Sequence, residues 1–265
     1  MADWFSMKGR TALITGASMS IGRSLALGFA DHGASIAVHY SAAADAKAGL
    51  PDAARTTADE VRRRGVDACL VEADLLPVGG GRRAFELATI AFGKIDILVV
   101  CASIQLRTPF AQVTSDQIEQ QVAINFRATV ELLQAALPPM KERSWGRALT
   151  IGSINQLRPS ADLAVYAALK SAQHNLCIDL ARQYAPYNVM INNLSPGLVA
   201  TERNRWRRED ADDWRRIQAS TAAPMERAAQ PDEMVGAAVL LCSDAASYIA
   251  GVDLPVTGGA HLPAE

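Results

Sequence analysis

Short apolar runs rich in β-branched residues alternate with longer segments of helical periodicity from one end of this chain to the other, and no other feature restricts its fold as much. The runs lie at 11–14, 35–38, 68–71, 97–101, 147–151, 189–194 and 253–256. Most lack polar alternation, so they have no face to give to water and must be covered on both sides. Strands of that kind separated by helices are the pattern of repeated βαβ units. The expectation is an α/β fold, a single domain over residues 1–265 with a doubly wound parallel sheet of about seven strands and helices on both faces.

A chain of 265 residues with 49% hydrophobic content can bury one large core. Its 26 Lys and Arg nearly balance its 28 Asp and Glu. No basic arm stands out, which argues for a small-molecule partner and against nucleic acid. Cys69, Cys101, Cys177 and Cys242 are far apart and form no C-x-x-C pair, so neither a disulfide framework nor a metal site is expected. The opening MADWFSMKGR carries no apolar h-region, and no run of about 18 apolar residues occurs. A cytoplasmic protein with no membrane partner is expected.

Three segments break the rhythm. Residues 41–57 are Ala-rich with Gly49 and Pro51, and residues 77–81 are a Gly cluster; both read as surface loop or helix entry. Residues 198–224 are long and rich in Arg and Trp, and they follow the C-terminal end of a strand, where open α/β sheets bind ligands. They are expected to form a substrate lid within the domain.

The first run leads into Thr15-Gly16-Ala17-Ser18-Met19-Ser20-Ile21-Gly22-Arg23 and then a helical pattern. A strand, a tight turn and a helix N-terminus together make a pyrophosphate site, because unpaired backbone N–H groups and the positive end of the helix dipole face the anion. Far along the chain, Tyr166 and Lys170 lie four apart in a helical pattern, which puts them on one face. A phenol ordinarily titrates near 10, and a neighbouring ammonium favours its ionised form. Lys170 therefore suits Tyr166 to acid–base work.

Taken together, these segments resemble the short-chain dehydrogenase/reductase family, including its 3-oxoacyl-carrier-protein reductases and sugar dehydrogenases, with matches from residue 11 to residue 259. The glycine segment resembles its TGxxxGxG fingerprint, with Ser20 in place of the middle glycine. Ser153, thirteen residues before Tyr166, and Asn125 fall where the family has its remaining catalytic residues. The resemblance implies a Rossmann-type fold and a nicotinamide-dependent oxidoreductase. Ser153 would hold the substrate oxygen, Tyr166 would move its proton, Lys170 would bind the nicotinamide ribose and lower the Tyr pKa, and Asn125 would hold a water linking Lys170 to solvent. It also implies cofactor contacts from Thr15, Gly16, Ser18, Ser20, Ile21 and Gly22. Further contacts would come from Tyr40 and Ser41, Asp74 and Leu75, Ala102, Tyr166 and Lys170, and from Pro196, Gly197, Val199 and Thr201. Asp74 also reads as a helix N-cap. The fourth run ends Val100-Cys101-Ala102-Ser103, where the family usually has Asn-Asn-Ala-Gly, so the bracing of the sheet must be made differently.

No carboxylate follows the second run until Asp45. An acid there would repel a 2′-phosphate, so its absence, with Ser41 and Arg23 as phosphate donors, favours NADP; NAD stays open. Asn155 and Gln156 after Ser153 read either as contacts to a polar, sugar-like substrate or as loop residues bonding backbone. Arginines of the lid read either as partners for an anionic group or as the solvated face of a charge-balanced helix. The tail is similar to the family's subunit-packing segment, which implies a homotetramer or homodimer. The departures at Ser20, Cys101 and Ser103 motivate an alternative, a catalytically silent regulatory protein on the same fold. A dinucleotide-using epimerase or dehydratase is the other alternative.

Overall fold

The computed structural model describes residues 3–221 and 223–263. Seven strands form one sheet: β1 (Thr11–Ile14), β2 (Ser35–Tyr40), β3 (Ala68–Glu72), β4 (Ile97–Val100), β5 (Gly146–Ile151), β6 (Val189–Pro196) and β7 (Asp253–Val256). The order is β3-β2-β1-β4-β5-β6-β7, and every neighbouring pair is parallel. Helices α1 (Ser20–Asp31), α2 (Ala42–Lys47), α3 (Ala53–Arg63), α4 (Gly80–Phe92), α5 (Ser115–Val122), α6 (Ala128–Glu142), α7 (Ala164–Tyr184), α8 (Ala211–Ser220) and α9 (Val235–Cys242) complete it.

Side-chain alternation along the strands splits the interior in two. Ile14, Ile36, Val38 and Val99 pack with α1, α3 and α9, whereas Leu13, Ala37, Leu98 and Val100 pack with α4, α6 and α7. Both faces are buried, as the two-sided apolar runs require. The strand order reverses between β1 and its neighbours β2 and β4, and the crevice beyond that switch point is where such sheets bind ligands.

Element ends differ from the expected ones for physical reasons. β4 stops at Val100 because the N–H groups of Cys101 and Ala102 turn to the Thr15 hydroxyl instead of a neighbouring strand. β2 and β6 run two residues further, where β3 and β7 still offer partners, Tyr40 opposite Glu72 and Pro196 opposite Val256. The segment 41–57, expected as loop or helix entry, holds α2 and the start of α3. Within 198–224 lie a 3₁₀ segment, Glu202–Arg208, and α8; Ala222 is outside the described residues.

Candidate active site

At the nucleotide end, Gly16 has φ +67°, and a Cβ there would come within 3.1 Å of the Ala102 backbone. A Cβ on Gly22 would run into the Gly16 carbonyl oxygen. Both glycines are therefore steric requirements of the turn. Ser20, at the family's middle glycine, also has positive φ, +52°, a conformation that costs an L-residue about 1–2 kcal/mol. Its hydroxyl accepts a hydrogen bond from Glu202 N at 3.0 Å, tying the turn to a segment 182 residues away. The N-cap of α1, Met19, makes no side-chain cap bond and the first turn holds no acid. Uncapped N–H groups thus meet a cavity of about 590 Å³, lined by Ser18, Ser20, Arg23, Thr201, Arg208 and Gln230 among others. Room, bare backbone and a helix dipole fit a dinucleotide phosphate.

The rest of the expected nucleotide contacts surround this turn. Thr15 accepts from Cys101 N and Ala102 N at 2.9 and 3.0 Å, which supplies the bracing that the altered fourth-strand motif lacks. Behind the turn, His39 accepts from Gly16 N through Nδ1 at 3.1 Å, a support that the sequence did not disclose. Burial drives the His39 pKa down to about 4. Ser18 donates to Asp45, whose carboxylate is folded under the turn at 2% exposure and whose pKa burial raises. Ser41 caps α2 by accepting from Ala44 N, and Arg23 pairs with Glu60 at 2.6 Å, so neither expected phosphate donor is free. Asp74 is not a helix N-cap: Gly79 is the N-cap of α4, and Asp74 accepts from Leu76 N two residues on. Tyr40 donates to Glu72, and Leu75 is buried. Pro196 ends β6; a Cβ on Gly197 would lie 2.9 Å from Thr257; Val199 is buried and Thr201 starts the 3₁₀ segment.

At the chemical end, β5 delivers Ser153 and α7 delivers Tyr166 and Lys170, and the three are 7%, 4% and 2% exposed. Lys170 donates to Ile151 O at 2.7 Å and to Gln173 Oε1 at 3.1 Å, which holds a buried ammonium in place. Burial lowers its pKa. Burial alone would raise the Tyr166 phenol, but the charges of Lys170 and Arg203 and hydrogen bonding with Ser153 and Arg203 overcome it, and the pKa falls below 10.0. Asn125 sits in a π-helical turn, Ala123–Arg127, and its side chain closes a pair of 2.9 Å bonds with Ile104 N and O. Both ends of that amide are thus spent on the loop after β4.

Asn155 and Gln156 face inward to the chain. Asn155 donates twice to Ser153 Oγ and accepts from Ser160 N; Gln156 accepts from Ser153 N and donates to Asp253. Of the two sequence readings, contact with the chain is the one their partners support. Asp253 also accepts from Asn193 and Ser195, so β6 and β7 hold the serine loop from behind. The residue that sequence reasoning did not single out is Arg203, whose Nη2 donates to Ser103 O and Oγ at 2.7 and 2.8 Å.

A family model described as enoyl-(acyl carrier protein) reductase matches residues 16–261 of this chain. The chain belongs to the short-chain dehydrogenase/reductase family. It is 32% identical over 252 residues to an L-rhamnose 1-dehydrogenase (NAD(P)(+)) of Azotobacter vinelandii, covering 94% of this chain and 96% of that one. A crystal structure of a 3-oxoacyl (acyl-carrier-protein) reductase from Agrobacterium tumefaciens C58 with NADP bound superposes with a TM-score of 0.90 at 40% identity, covering 97% and 96% of the two chains. A gluconate 5-dehydrogenase from Burkholderia cenocepacia in complex with NADP and tartrate gives 0.88 at 31% identity, covering 99% of each. As a member of this family the chain is an oxidoreductase acting on CH–OH and C=O groups.

Proposed function

We propose that this short-chain dehydrogenase/reductase works with NADP on a secondary alcohol or ketone of a small polyhydroxylated substrate, with Tyr166 as acid and base. The observation that carries the reading is the meeting of Ser153, Tyr166 and Lys170 in one buried site at the C-terminal edge of the sheet, next to the uncapped N-terminus of α1. The nicotinamide supplies or accepts the hydride when bound. Ser153 and the Tyr166 hydroxyl hold the substrate oxygen as charge develops on it, and Tyr166 gives or takes its proton. Lys170 keeps that phenol ionisable and offers its ammonium to the ribose. Asn125 fixes the loop after β4, and Asn155 and Gln156 hold Ser153 from behind.

NADP is favoured over NAD because Asp45 is turned away under the turn, Arg208 stands at the cavity wall, and related structures hold NADP. A polyhydroxylated substrate is favoured by the sugar dehydrogenases among the relatives. Residues 198–224 serve as the lid. A homotetramer or homodimer accords with exposed Ile118, Val122 and Ile178 on α5 and α7. Among the described residues no helix is long and apolar enough to cross a membrane, in accord with a cytoplasmic protein.

Titration with NADPH and NADH, followed by nicotinamide fluorescence, tests the cofactor assignment, and absorbance at the nicotinamide band with a panel of aldoses, alditols, aldonates and simple ketones tests the reaction. Tighter binding of NADPH and turnover of a polyol or keto-sugar are expected. Binding of neither cofactor overturns the reading.

A further inference from the structure

We propose that Arg203 binds a carboxylate on the substrate, which makes a sugar acid the preferred substrate over a neutral sugar. The inference rests on the polyhydroxylated substrate proposed above and adds a charge to it.

Arg203 lies within the Thr201–Asn204 capping box that opens the 3₁₀ segment. Its Nη2 holds Ser103 after β4, and from there the guanidinium reaches the Tyr166 hydroxyl and its charge acts on Tyr166, Lys170 and Cys101. The arginine therefore bridges the reactive end of the crevice from its cover.

Its charge is unanswered. Arg205 pairs with Glu202, Arg215 with Asp212 and Arg227 with Glu233, but among the described residues no carboxylate lies within ion-pair distance of Arg203. Asp253, behind the serine loop, is already engaged by Gln156, Asn193 and Ser195. Cys101 and Cys177 are held protonated by burial. Two cations, Lys170 and Arg203, thus surround a neutral phenol with no facing acid.

Lys170 is 2% exposed and gives two of its three N–H groups to Ile151 O and Gln173, whereas Arg203 is exposed. A guanidinium carries five donors in a planar fork, and its partners here, Ser103 and the Tyr166 hydroxyl, are both neutral. A carboxylate offers the charge and the bidentate geometry that Ser103 does not. Because Arg203 neighbours the phenol that must touch the reacting oxygen, the carboxylate would sit only a few carbons from the reacting centre.

The test compares kcat/KM with NADP for aldonates and for alditols of equal chain length, in wild type, Arg203→Met and Arg203→Lys. The acid-to-neutral ratio should fall about 10- to 100-fold in Arg203→Met, the range of a charge-assisted pair, and recover in part in Arg203→Lys. A ratio unchanged by Arg203→Met, or wild-type turnover of alditols but not aldonates, overturns the assignment of Arg203 and leaves the polyol reading standing. Turnover of simple ketones with no turnover of either polyol class overturns the substrate reading and this inference with it.

Discussion

Asn125, Tyr166 and Lys170 are 1%, 4% and 2% exposed, and Asn125 and Lys170 are held by groups about 20 residues away, Ile104 and Ile151. Residues 202–208 and 211–220 contain no buried residue and are held mainly by bonds within a turn of their own chain, such as Arg215 to Asp212. Among the described residues of these two stretches, the hydrogen bonds to distant parts of the chain lie at the start, from Glu202 to Ser20 and from Arg203 to Ser103. The floor has the rigidity that proton transfer demands, and the cover has the freedom to admit and release ligands. What a substitution does should depend on which of the two it touches.

The sharpest division is in chemistry. Tyr166→Phe keeps the ring and removes the acid, so kcat should drop about 10³-fold, within the range of general acid–base catalysis, while NADPH affinity and the melting temperature stay near wild type. A comparable loss from any substitution in 211–220 would break the comparison.

Next comes pH. His39 titrates near 4 in the fold against 6.5 when free, so the unfolded chain binds the extra proton between those values and acid removes stability. The support is whole above pH 6.5 and is lost as pH falls toward 4, a loss on the order of 3 kcal/mol. His39→Asn retains an acceptor for Gly16 N and should flatten the fall of melting temperature with acid; an equally steep fall would show that the floor's acid sensitivity lies elsewhere.

Lys170→Met should act through Tyr166. For alcohol oxidation the ionised phenol is the base, so the rate rises with pH through a value that Lys170 holds down. Without the ammonium the rising limb should move up by about one pH unit or more. An unmoved limb would assign the tuning to Arg203, and so to the cover.

The smallest effect belongs to the cover itself. Arg215 and Asp212 are 74% and 76% exposed, where water and salt screen the pair. Arg215→Gln should leave the melting temperature within about 1 °C.

The sheet was readable because strands covered on both sides leave no polar alternation, and all seven runs became strands. Tyr166 and Lys170 were readable because helical spacing alone puts them on one face. The means by which Thr15 replaces the missing motif at Cys101 was not, since that bond spans 86 residues and exists only after β1 and β4 pair. His39 looked like an ordinary strand residue because its role is set by the Gly16 N–H opposite it. Arg203 was one arginine among several in a segment whose acids nearly balance them, and only position distinguishes it.

The wide turn at Ala123–Arg127 joins α5 to α6 without a break in the chain's course. Each residue of an α-helix advances the rotation by about 100°. A one-residue change within α6 itself would turn the rest of that helix by this angle, carrying Leu132, Leu133 and Ala136 off the sheet. The wide turn, whose geometry takes up one residue more than an α-helical turn, is the place where a length change is absorbed, whereas a change in the first half of α6 is not.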